Sequence, residues 1–79
     1  MSLYYFEASD GDIVVQGNRS ISLDGIEAAR TEAHKVIRDL ARDVIPDDRD
    51  RSTMTLKVRD EVGKVVVTAT LSLTVEVEP

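Results

Sequence analysis

The chain has 79 residues, no cysteine, no tryptophan, and 10 basic against 15 acidic side chains, a formal charge of −5. That length holds one core and no second domain, and without cysteine there is no disulfide staple, thiolate zinc site, iron–sulfur cluster or cysteine nucleophile. The acidic balance argues against nucleic acid as a partner, because that affinity rests on clustered Lys and Arg.

Residues 3–8 (Leu-Tyr-Tyr-Phe-Glu-Ala) are strand formers that place Tyr4, Phe6 and Ala8 on one face and Tyr5 on the other. Asp10-Gly11 is a hairpin signal leading to a return strand over Ile13–Gln16. Gly17-Asn18-Arg19-Ser20 reads as a second turn, followed by a short extended Ile21-Ser22-Leu23.

Asp24 opens a helix over about residues 24–45, with Glu27 three residues later completing a capping-box pattern. Ile26, Ala29, Ala33, Val36, Ile37, Leu40, Ala41 and Val44 fall within a stripe of about 140°, a core-facing helical face. On the outer face Glu32–Lys35, Lys35–Asp39 and Asp39–Arg42 are spaced to pair. Pro46 ends the helix. Asp47-Asp48-Arg49-Asp50-Arg51 is a polar connector within one domain, residues 1–79.

Met54, Leu56 and Val58 alternate with Thr55, Lys57 and Arg59, a half-buried strand, and Asp60-Glu61-Val62-Gly63 makes a hairpin loop. Beyond it every odd position from Val65 to Val77 is apolar, and even positions from Thr68 onward are polar: a long one-sided strand. If straight, residues 64–78 run about 50 Å at roughly 3.3 Å per residue. A compact globule of this length has a radius of gyration near 12 Å, hence a diameter of about 30 Å. The strand is therefore expected to bend at a bulge, or to send residues 71–79 out as an arm that pairs with another subunit.

The order β-β-α-β-β implies an α+β domain: a mostly antiparallel four-stranded sheet, one helix on one face, and a long C-terminal strand. A core this small rarely supplies more than about 3–5 kcal/mol, so a homo-oligomer, a dimer first, is expected. Candidate interface residues are Tyr5, Leu71, Leu73, Val75 and Val77.

No catalytic constellation is legible. His34, the single histidine, lies about 80° around the wheel from Ile26, a boundary position without a nucleophile or orienting group in the pattern. Asp10 and Asp12, and Asp47, Asp48 and Asp50, have calcium-type oxygens but not the spacing of a twelve-residue calcium loop. Neither a phosphate loop nor a serine elbow is present. No enzyme, metal or cofactor is expected. The N-terminus lacks the pattern of a signal peptide, and no run approaches the ~20 apolar residues of a membrane span, so the expected setting is cytoplasmic and away from membranes.

Tyr4-Tyr5-Phe6, Asp10-Gly11, Leu23-Asp24 leading into Glu27-Ala28-Ala29-Arg30, and Val58-Arg59-Asp60-Glu61 with Gly63-Lys64-Val65 form a set. Together they resemble a family of short, uncharacterised alphaproteobacterial proteins, a domain of unknown function, over roughly residues 3–68, with the tail from Ala69 departing from it. That resemblance implies the fold and no activity. Tyr5, Asp10-Gly11 and Asp24 through Ala33 also look like one half of HicB-type antitoxins. Those have a third strand before the helix, where this chain has Ile21-Ser22-Leu23, and many carry a DNA-binding segment that is not evident here. The functional expectation is a non-catalytic cytoplasmic interaction module that self-associates through its sheet or C-terminal strand. The alternative is an antitoxin-like protein neutralising a small basic partner. Either role leaves room for a further, unidentified protein partner.

Overall fold

The computed structural model describes residues 1–10, 13–44 and 50–79, without the side chains of residues 13–18, 43 and 44. The expected turn at Gly11, the facing of Ile13 and Val15, the stop at Pro46 and the Asp47-Asp48 connector lie outside that description. The elements are β1 (Ser2–Asp10), β2 (Ile13–Leu23), α1 (Ile26–Val44), β3 (Arg51–Arg59) and β4 (Val65–Thr74). They form one antiparallel sheet in the order β2-β1-β3-β4. The α+β reading and the β-β-α-β-β order hold.

Alternation explains which face is covered. Tyr4, Phe6 and Ala8 of β1 and Met54, Leu56 and Val58 of β3 point to one side and are buried. There they meet Ala29, Ala33, Ile37 and Ala41 of α1, whose mostly small side chains let the helix sit close to the sheet. Two rings are thus in the core, while Tyr5 stands half-buried on the opposite, helix-free face. Among the described residues, Phe6, Met54, Leu56 and Val58 are the large side chains that are fully buried.

Three local expectations are corrected. First, no turn forms at Gly17–Ser20: β2 runs unbroken to Leu23. Between the pairs Phe6↔Arg19 and Ala8↔Gln16, and again between Ala8↔Gln16 and Ser9↔Val14, β2 advances one residue more than β1. The glycine is taken up in a bulge, a role it often has inside strands. Two strands precede the helix, as the expected β-β-α-β-β order has it.

Second, the capping box does not form. Gly25, at φ 88°, takes the cap position, its carbonyl accepting from the Ala29 N–H at 3.1 Å. Asp24 is one residue too early to reach the free helical N–H groups. Glu27 instead meets Arg30 at 3.8 Å on the exposed surface, an ion pair of little energetic consequence. None of the three expected outer-face pairs closes; exposed pairs of long side chains gain too little to hold one geometry. Asp24→Ala should therefore change stability by less than about 0.5 kcal/mol. Gly25→Ala should cost about 1–2 kcal/mol through left-handed strain alone, since an added Cβ meets nothing within 4 Å. Thermal melts of the two variants check this ordering.

Third, β4 does not leave the hairpin at Leu71. It stays paired with β3 through Arg51↔Thr74, and the Val75 N–H still donates to the Asp50 carbonyl at 2.7 Å. The length mismatch is resolved by shape: the radius of gyration is 13.9 Å and the long axis 52 Å. A bulge does occur, but near the start. Val58 pairs with Val67 and Arg59 with Val65, leaving Val66 as the extra residue. Val66 and Val67 both pack towards the core, and Val65, expected on that face, is turned to the other.

The β3–β4 loop explains its own sequence. The Asp60 carboxylate accepts from the N–H groups of Val62 (3.1 Å) and Lys64 (3.0 Å), and Gly63, at φ 90°, donates to the Asp60 carbonyl at 3.0 Å. A glycine in the left-handed region is what a three-residue hairpin loop of this kind demands.

Candidate interaction surface

Every sheet that does not close has two edges, and each presents unpaired backbone groups. Here the edges are β2 and β4. They differ in how they are defended. The β2 edge carries two register irregularities and Arg19, features that discourage pairing with another chain. The β4 edge is regular from Val67 to Thr74.

The residues on β4 sharpen the contrast. From Val65 to Val75 the sequence is Val-Val-Val-Thr-Ala-Thr-Leu-Ser-Leu-Thr-Val, without one charge, in a chain that is 32% charged. Uncharged, β-prone, proline-free edges invite pairing with other strands. Hydrogen-bond alternation fixes which groups are free. Because the Val75 N–H donates to Asp50, antiparallel geometry turns the backbone groups of Val67, Ala69, Leu71 and Leu73 towards β3. Those of Thr68, Thr70, Ser72 and Thr74 then point outward along the edge.

The apolar side of β4 is incompletely covered. Val67, Ala69 and Leu71 pack partly against the core, whereas Leu73 is 42%, Val75 50% and Val77 95% exposed. Beside the first half of the strand, α1 and β4 bound an open groove of about 360 Å³, lined by Ile26, Ala33, Val66, Val67 and Ala69 and rimmed by Arg30 and His34. Ile26, expected to face the core, is 52% exposed there.

The five expected interface residues do not form one surface. Leu71 and Leu73 lie on the helix-bearing face of the edge strand, and Val75 and Val77 continue the chain beyond it. Tyr5 lies on the opposite face, between Ser20 and Arg59, and β3 separates its strand from β4. His34 is exposed on α1 among Arg30, Thr31, Lys35 and Arg38. Among the described residues no three His, Asp or Glu side chains converge as metal ligands. One buried polar atom went unforeseen: Ser52 Oγ, on the core side of β3, has no hydrogen-bond partner among the described residues. Its even position in β3 was the available signal, since that parity is the buried one.

No helix among the described residues is long and apolar enough to cross a membrane. A family model described as a domain of unknown function, DUF6894, matches residues 3–72. It takes in Ala69–Ser72, where the sequence was expected to depart from its family. No curated protein and no solved structure matches the chain.

Proposed function

The chain belongs to the DUF6894 family, and we propose that it is a small, non-catalytic, cytoplasmic interaction module that self-associates as a homodimer through the free edge of β4. The observation that carries this reading is the uncharged run from Val65 to Val75 on an edge that no other described strand pairs. An isolated monomer with such an edge would be prone to open-ended aggregation, whereas a two-fold pairing of two edges closes the assembly. The small core supports the same reading, because association adds buried surface that one copy lacks. Leu71, Leu73, Val75 and Val77 are the apolar contacts in this reading. Tyr5, on the other face, is left for a different partner.

Absolute mass from light scattering coupled to size exclusion tests the proposal. The expected value is twice 8.7 kDa, with the melting temperature rising as protein concentration rises. A mass of 8.7 kDa at every concentration up to the millimolar range overturns it.

A further inference from the structure

We propose that the second copy pairs antiparallel along β4 about a two-fold axis passing through Leu71, making one eight-stranded sheet with both helices on the same face. The inference rests on the self-association reading above and supplies its geometry.

Three constraints select the register. A two-fold antiparallel pairing that keeps apolar residues on one face must match odd positions with odd and even with even. The backbone groups to be satisfied are those of Thr68, Thr70, Ser72 and Thr74. In only one register do these four pair among themselves, Thr68 with Thr74 and Thr70 with Ser72 of the second copy. That register is centred on Leu71. Shifting the centre to Thr70 sets Thr74 opposite Val66, where the bulge breaks the regular strand. Shifting it to Ser72 carries Thr68 opposite Glu76, beyond the end of β4.

Side chains agree with this choice. On the helix-bearing face Leu71 meets its own copy, Leu73 meets Ala69, and Val75 meets Val67. The exposed Val77 is brought to the end of the groove that holds Val66 and Ile26. The opposite face matches hydroxyl with hydroxyl, a favourable cross-strand combination. Charge also runs in the right sense. The strand is preceded by Lys64, with Arg59 beside Val65, and is followed by Glu76 and Glu78. Antiparallel pairing sets the acidic end of one copy against the basic start of the other. The acids of the neighbouring loop are already engaged: Asp60 holds the turn, and Glu61 Oε1 accepts from the Leu3 N–H at 2.9 Å.

Because the chain has no cysteine, single-cysteine variants report the register without background. A residue on the axis faces its own copy at a Cα separation of about 4.5 Å, within the roughly 4.4–6.8 Å a disulfide spans. Under mild oxidation Leu71→Cys should cross-link at least tenfold faster than Ala69→Cys or Thr70→Cys. As a second arm that spares the core, Thr70→Cys chains mixed with Ser72→Cys chains should give the mixed cross-linked dimer in preference to either like pair. A wild-type dimer in which Thr70→Cys or Ala69→Cys cross-links fastest, or in which none cross-links and the mixed pair fails, overturns this geometry and leaves self-association standing. A wild-type monomer removes both.

Discussion

Phe6→Ala is expected to abolish the cooperative unfolding transition of this chain at 25 °C. Phe6 has no exposed surface and sits on β1, one of the two central strands, opposite Val58 on one side and Arg19 on the other. Cutting a buried phenylalanine to alanine removes transfer free energy and leaves a cavity, together costing about 3–5 kcal/mol. A single core of this size supplies about the same amount, and among the described residues the other large, fully buried side chains are Met54, Leu56 and Val58. The substitution therefore removes about the whole margin that the core of one copy supplies, so the titration is read at a low protein concentration where association adds least. A urea titration followed by far-UV circular dichroism reads the result, with a sloping baseline in place of a sigmoid. Tyr5→Ala is the matched control. Its ring stands half-buried on the uncovered face, so a folded protein with a modestly lowered midpoint is expected.

Proline substitution at adjacent positions of β4 should produce opposite outcomes. Proline removes one N–H and is tolerated in a sheet only where that group faces away from the ladder. The Ser72 N–H points outward and Ser72 is exposed, so Ser72→Pro should keep the far-UV spectrum of the fold while shifting the mass to that of one copy. The Leu71 N–H points to β3, where Leu71 pairs with Met54, a fully buried residue. Leu71→Pro strands the Met54 carbonyl at a cost of about 1–3 kcal/mol and disturbs a side chain packed on the core, so the hairpin itself should fail. A dimer of undiminished affinity for Ser72→Pro would mean that the interface lies elsewhere. Both variants are read by circular dichroism and light scattering on the same samples.

The element order was legible because β1, α1 and β3 each carry a clean period. Alternation at Tyr4–Ala8 and Met54–Val58, and the helical stripe through Ala29, Ala33, Ile37 and Ala41, each specify a face without help from the rest of the chain. What pattern reading missed are places where one residue is added to a strand. Gly17 looks the same in a turn and in a bulge, and only pairing with β1 decides between them. Val65, Val66 and Val67 are chemically alike, so nothing local marks Val66 as the residue that is squeezed out of register. The cap went to Gly25 instead of Asp24 for a similar reason: both suit a helix start, and the positive φ settles the matter.

The candidate surface was partly legible in the same way. The uncharged run beginning at Val65 can be read directly, and the excess of apolar residues beyond any one core can be inferred from it. That β4 is an edge follows only from strand order, which no local pattern encodes. The expected arm at Leu71 came from treating the domain as a sphere, whereas the molecule is elongated, with a long axis of 52 Å. Tyr5 shared the candidate set because alternation identifies a face, not a neighbour. Its separation from Leu71 and Leu73 needs the sheet order as well.

The most direct test of edge pairing is amide hydrogen exchange along β4, read residue by residue by NMR at a concentration where the larger species dominates. Within one copy, β3 protects the N–H groups of Val67, Ala69, Leu71 and Leu73 and leaves those of Thr68, Thr70, Ser72 and Thr74 open to solvent. With the edges paired, the second set should be as slow to exchange as the first and should become fast on dilution. A strictly alternating pattern, with Thr70 and Ser72 exchanging at the rate of exposed amides at every concentration, would contradict edge pairing.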